Sequence, residues 1–357
     1  MRQVLRTPEL MTGLSDKEWG LLVRQARSSA LIARLAFILE QHPSIECPAA
    51  ARRHFEGERR VTEKLVREVL RDIRHIAEPL SQIGVRIILL KGGAYVIGDL
   101  PPARGRVFGD IDILVPREVI PVVEQRLKAV GWQSKELDAW DQRFYREWMH
   151  EIPPLTHSET GTVVDVHHTI VPVTARNKLD PNLLFDAALP AVLDPTLGIL
   201  SPADMVLHSA VHLFNEGEFD RGLRDLVDLD LLLRHFGQQA EFWDGLVDRS
   251  QQLDLARPLY YCLRYAHRFL GTPVPAATLA RCARVAPAAP WLMDFLFERA
   301  LRPAHQSCRD AATHVALWLL YLRGHHLRLP LTLLVPHLLR KSFKRNFEVL
   351  HPLKRNG

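Results

Sequence analysis

Cysteine is scarce in this chain: four residues, Cys47, Cys262, Cys282 and Cys308, in a sequence of 357. They lie far apart and form no Cys-x-x-Cys pair, which argues against a zinc ribbon and against a disulfide framework. Mostly buried thiols in a reducing compartment are expected, with no disulfide-linked partner. Long apolar runs are also lacking, since none approaches the ~20 residues needed to cross a bilayer. The opening Met-Arg-Gln-Val-Leu-Arg-Thr-Pro has no apolar core of the signal-peptide kind, so the expected location is cytoplasmic. No repeat and no low-complexity segment is visible. With 47% hydrophobic and 24% charged residues the composition is that of a globular protein able to bury a core, which excludes disorder as the default. The net charge of +5 suits a polyanionic partner such as a nucleoside triphosphate, RNA or an anionic membrane surface, without choosing among them.

Chemistry is concentrated between Ile87 and Val115. The apolar run Ile87 to Leu90 ends at Lys91-Gly92-Gly93, the pattern of a buried strand breaking into a glycine turn. Adjacent glycines permit positive φ and let backbone N–H groups approach a ligand closely, as a phosphate cradle requires. Asp110-Ile111-Asp112-Ile113-Leu114-Val115 alternates, so Asp110 and Asp112 project from one face of a strand. Two carboxylates side by side repel unless a cation lies between them, and hard ions such as Mg²⁺ take such oxygen ligands and bridge them to phosphate.

Leu-Lys-Gly-Gly together with Arg-x-x-Gly-Asp-Ile-Asp-Ile-Leu-Val resembles the polymerase β-type nucleotidyltransferase superfamily, and within it the bacterial nucleotidyltransferase family proteins of the largely uncharacterised branch. The resemblance covers roughly residues 85 to 235. It implies a third carboxylate on a later strand, and Asp165 in Val163-Val164-Asp165-Val166-His167 fits the family's Asp-apolar-His pattern. Two features depart from the superfamily: Gly93 stands where many members carry Ser, and the stretch to Asp110 is longer than usual, implying an added loop that carries Arg104 and Arg106.

On this resemblance Asp110, Asp112 and Asp165 are the catalytic and metal-holding residues, with Mg²⁺ or Mn²⁺ as cofactor and a nucleoside triphosphate such as ATP as substrate. Lys91, Gly92, Gly93 and Arg106 are the nucleotide-binding candidates. A lysine ending a strand is as often a solvated terminus, and Arg106 reads equally as a loop ion pair. His167, Arg224 and Asp228 are acceptor-side candidates; for the last two, an ordinary amphipathic helix with i, i+4 pairing fits as well. His208 and His212 share a helix face at i, i+4, but the third ligand and the Glu of a His-Glu-x-x-His motif are absent, so helix packing is the reading and a zinc hydrolase the weakest alternative. From another class comes a catalytically silent nucleotide-binding or antitoxin-like partner, against which the intact Asp110, Asp112 and Asp165 count. The acceptor, whether small molecule, protein or RNA, is not legible.

The expected fold class is α+β: a small mixed nucleotidyltransferase sheet flanked by helices, with an all-helical C-terminal region. Residues 1–80 form an N-terminal helical segment, 81–190 the catalytic domain and 200–357 a C-terminal helical domain. Ser15 to Glu18 spells a capping box, followed by helical spacing from Trp19 to Leu39. A second helix starts at Thr62, and a third runs from Glu118 to Val130. Trp132–Leu137, Phe144–His150 and Glu151–His157 are candidate strands, the last in a hairpin with Thr162–His168. Helices fill the remainder from Ala203. The basic tail with spaced aromatics, Leu338 to Phe347, reads as a solvated helix end, with peripheral membrane or RNA contact as its alternative.

Overall fold

A computed structural model describes residues 1–336 and Arg340; the basic tail singled out above lies otherwise outside the described residues. The architecture is α+β. One seven-stranded mixed sheet is built from β1 (Ile88–Leu89), β2 (Asp110–Leu114), β3 (Trp132–Ser134), β4 (Leu155–His157), β5 (Val163–His167), β6 (Leu189–Pro190) and β7 (Gly198–Ile199). Its order is β3-β4-β5-β2-β1-β7-β6. The two strands expected to carry carboxylates are thus neighbours at the centre, and β2 runs parallel to β5 with Asp112 opposite Asp165.

Apolar residues that alternate with the carboxylates explain this placement. Ile111, Ile113, Val164 and Val166 are buried in one core that also takes in Ile73 and Ile76 of the helix Ala49–Leu80, Val123 and Leu127 of Ile120–Ala129, and Leu207, Leu226 and Leu259 of the C-terminal helices. Because successive strand residues face opposite ways, burying the Ile and Val set leaves Asp110, Asp112 and Asp165 together on the other face. The C-terminal helices Pro202–Asn215, Gly222–Phe236 and Ala256–Leu270 pack on one another and share that core with the sheet.

The elements differ from the sequence reading where local chemistry overrides pattern. The Ser15–Glu18 capping box forms, but the helix stops at Ser28, and a second begins at Ile32. Ala30 takes φ +53 there, and the Leu31 N–H donates to the Ala26 carbonyl at 2.8 Å, closing the first helix without a glycine. The helix expected from Thr62 starts at Ala49. Phe144–Trp148, read as strand, is one turn of π-helix continuing Ala139–Arg143. Asp138 caps that segment, and Arg143–Glu147 at 2.8 Å and Arg146–Gln142 at 3.1 Å are i, i+4 pairs that only a helix brings together. β6 and β7 straddle the end of the segment 81–190, between it and the helices expected from Ala203.

The loop between Gly98 and Asp110 is anchored on the N-terminal helices. Arg34, buried in Ile32–Gln41, donates from its guanidinium to the carbonyls of Pro101 and Pro102 at 3.1 and 3.2 Å. Gly105 has φ +73, and a Cβ there would lie 2.7 Å from the Ala33 carbonyl oxygen. Gly105→Ala is therefore expected to lower the unfolding free energy by roughly 2–4 kcal/mol, read from the urea midpoint at unchanged slope.

Candidate active site

Lys91 is where β1 turns into the helix Lys91–Ile97. The sequence suggested that glycines supply the positive φ, but Lys91 itself takes it, at +42, and Gly92 and Gly93 already belong to the helix. Gly92 is needed for space: its Cβ would lie 3.0 Å from the Phe108 ring. Gly93 faces inward, toward Ile111, Ile73 and Leu89.

Asp112 is the centre of the charge arrangement. Its Oδ1 lies 3.0 Å from Nε2 of His167 and 3.8 Å from the Lys91 ammonium. Burial alone would raise the Asp112 carboxyl, but Lys91 and the His167 hydrogen bond overcome it and hold the group well below the usual carboxylate range. For Lys91 burial opposes the charge, and Asp112, Glu216, Glu151 and Asp110 together push it up instead. His167 is likewise held above the ordinary histidine value: burial disfavours its charge, while Asp112 and Glu151, the latter at 3.4 Å, favour it. The imidazole is 1% exposed, so it acts on Asp112 and cannot touch a soluble acceptor.

Asp165 has no such cation. It lies beside Asp112 in the parallel register, and its Oδ1 is buried without a hydrogen-bond partner. Burial, then the charges of Glu151 and Asp112, push its carboxyl up to about 7. A carboxylate aligned with two others and lacking a donor is the arrangement that a divalent ion satisfies. Asp110, at the exposed end of β2, completes the row.

A cavity of about 290 Å³ opens at Asp110 and Asp112, between the sheet and the C-terminal helices, lined also by Lys91, Gly92, Arg106 and Arg224; Asp165 does not line it. Arg106 reaches it from the anchored loop, its guanidinium 5.3 Å from the Tyr95 ring centre and ion-paired with Asp228. Arg224 pairs with the adjacent Asp225 at 2.6 Å. The Arg-Asp-Leu-Val-Asp segment therefore does face the cavity, but with its charges mutually satisfied.

Residues 15–271 match a family model described as an uncharacterised nucleotidyltransferase. The chain belongs to that family. No curated protein matches it. The matched span takes in the helices before the sheet, the sheet itself and the cavity wall beyond it, so this nucleotidyltransferase family is defined over every element that contributes to the row of carboxylates.

Three residues escaped the sequence reading. Glu151 precedes the observed strand Leu155–His157 and reaches His167 through an isolated bridge; its only signal was the expected hairpin of Glu151–His157 with Thr162–His168. His150 lies against His167 with ring centres 5.2 Å apart and planes tilted by 33°. Glu216 ends the helix Pro202–Asn215 and accepts from His212 at 2.5 Å on the cavity wall. His208 is buried, with burial and the neighbouring Lys91 keeping its pKa well below the ordinary value, whereas His212 lines the cavity.

The Asp165 shift has a consequence for stability. Its folded pKa of about 7 exceeds the unfolded carboxylate value, so the native state binds the proton more tightly, and stability falls as pH rises through the interval between the two. In metal-free protein Asp165→Asn should therefore raise the unfolding free energy at pH 8, by up to about 4 kcal/mol if the whole shift is expressed, with a higher thermal midpoint, and leave both nearly unchanged at pH 4. The check is a pair of calorimetric scans in chelator.

Proposed function

We propose that this nucleotidyltransferase moves a nucleoside monophosphate from a nucleoside triphosphate to a hydroxyl-type acceptor, releasing pyrophosphate, with Asp110, Asp112 and Asp165 holding Mg²⁺ or Mn²⁺. The single observation that carries the reading is the parallel register setting Asp165 beside Asp112, with a buried oxygen that no donor among the described residues satisfies. A divalent ion bound by that row supplies a bridge from carboxylate to phosphate and lowers the pKa of an acceptor hydroxyl. The chain's own residues do the rest. Lys91 and His167 keep Asp112 ionised and in place, which makes His167 a positioning residue. Gly92, with no side chain, leaves room for the triphosphate beside Phe108.

Arg106 has a conditional part in this scheme. It lines the cavity but is paired with Asp228, so binding a triphosphate through it means exchanging the Asp228 carboxylate for phosphate oxygens. Arg224, four residues before Asp228 on the same helix, is the second cation available on that wall. Acceptor recognition then falls to the remaining helical wall, where His212 and Glu216 lie. No described helix is long and apolar enough to cross a membrane.

The test is incubation with each α-labelled triphosphate, Mg²⁺ or Mn²⁺ and a cell extract. Label should pass to one acceptor fraction with wild type and fall by at least about 10³-fold with Asp110→Asn, which changes an exposed group and should leave the melting curve unchanged. Transfer retained by Asp110→Asn and Asp165→Asn together would remove the metal mechanism. Arg106→Ala should raise the apparent KM for the triphosphate about tenfold or more with kcat less affected; an unchanged KM would take Arg106 out of the nucleotide site.

A further inference from the structure

Beside the carboxylate row lies a cluster of which the proposed transfer uses only His167, as a positioning residue. His150 and Glu151 enter β5 from its antiparallel side, where Glu151 bridges to His167. Nε2 of His167 and Nε2 of His150 lie 3.4 and 3.7 Å from the same oxygen, Oε2 of Glu151. One ligand atom from each residue falls within 4.8 Å of the others. Four-coordinate ions with bonds of about 2.0–2.2 Å to nitrogen and carboxylate oxygen set neighbouring ligand atoms roughly 3.3–3.6 Å apart, so the two observed separations are those of a coordination shell slightly opened.

Hydrogen bonding accounts for only one edge of the cluster, that from His167 Nε2 to Asp112 Oδ1 at 3.0 Å. His150 makes no hydrogen bond through Nδ1, and 3.7 Å from Nε2 to Glu151 is beyond hydrogen-bond reach. Nδ1 of His167 is also buried without a partner. Two imidazoles with ring centres 5.2 Å apart, tilted by 33°, share one carboxylate where His167 is wholly buried, and the 3.7 Å gap from His150 Nε2 to Glu151 Oε2 is one that an ion held by both would bridge. Glu151, with 22% of its side chain exposed, gives the way in.

We propose that His150, Glu151 and His167 form a transition-metal site of their own, next to the oxygen-only row of Asp110, Asp112 and Asp165. Two imidazole nitrogens and one carboxylate select an ion of the Zn²⁺ or Co²⁺ kind over Mg²⁺, which demands oxygen donors. The ion takes the place of the proton that His167 shares with Asp112. Asp112 Oδ1, 3.0 Å from the same nitrogen, is then within reach as a bridging ligand to the neighbouring row. The site would thereby fix the orientation of Asp112 before any nucleotide arrives, in the way outer partners orient ligands elsewhere.

The experiment is a Co²⁺ titration of the full chain, freed of metal by chelator and kept in excess Mg²⁺ so that oxygen-only sites are occupied. Visible ligand-field bands should grow to saturation at one Co²⁺ per chain and be bleached by Zn²⁺. His150→Ala should weaken Co²⁺ binding by more than about 100-fold, beyond what loss of an outer partner costs, and Asp110→Asn should leave the spectrum and affinity unchanged. If His150→Ala fails to fold, His150→Gln serves in its place. Absence of bands in wild type, their displacement by Mg²⁺, or unaltered affinity in the His150 variant would each overturn the site. Because Asp110→Asn abolishes transfer without touching the cluster, loss of nucleotidyl transfer and loss of this metal are read independently.

Discussion

The pairing of β2 with β5 is the constraint from which the rest of the site follows. In a parallel ladder, residues opposite one another point to the same face, and a slip of one residue would send an acidic group into the core and a valine to the surface. The register is pinned by four β-branched side chains, Ile111, Ile113, Val164 and Val166, each at most 2% exposed. Burying them is the favourable term, and the juxtaposition of Asp112 with Asp165 is its by-product. Charge repulsion is thus imposed by hydrophobic packing that is individually worth ~1.5–3 kcal/mol per side chain.

The two aligned carboxylates meet different fates. Asp112 is ionised because Lys91 and His167 surround it, and the positive φ of Lys91 is part of how that ammonium is aimed back over the strand. Strain of this kind costs of order 1–3 kcal/mol and persists only where neighbouring contacts fix it. Asp165 has no comparable donor and carries the cost of its own burial. An arrangement with one carboxylate compensated and its neighbour not is poorly optimised for stability and well suited to binding a cation. The same contrast extends to the neighbouring cluster, where His150 lacks a hydrogen bond through Nδ1 among the described residues and burial raises the Glu151 carboxyl despite His167 beside it.

How much of this was legible in the sequence depends on the range of the interaction. Alternation in Asp110 to Leu114 and in Val163 to His167 is local, so the strands and the faces of their carboxylates could be read directly. The family resemblance pointed to Asp165; the i, i+4 spacing of His208 and His212 pointed only to packing. Hidden were features set by tertiary contact. The π-helical turn at Phe144–Trp148 looked like a strand because its aromatics cluster, and only the Asp138 cap and the i, i+4 pairs decide otherwise. The role of Gly92 was misread as backbone freedom when the close approach of Phe108 is what needs it. Glu151 carries no local mark, since its partner His167 is brought to it by strand pairing.

The central claim is that the row of Asp110, Asp112 and Asp165 is a divalent-cation site awaiting a nucleotide. Electron paramagnetic resonance of Mn²⁺ tests it most directly, because the free-ion signal reports binding without any turnover. With a non-hydrolysable triphosphate present and Zn²⁺ added to fill nitrogen-bearing sites, the wild-type chain should remove free Mn²⁺ from solution, while Asp165→Asn should leave it there. Equal Mn²⁺ uptake by the two proteins, or none by wild type, would contradict the account.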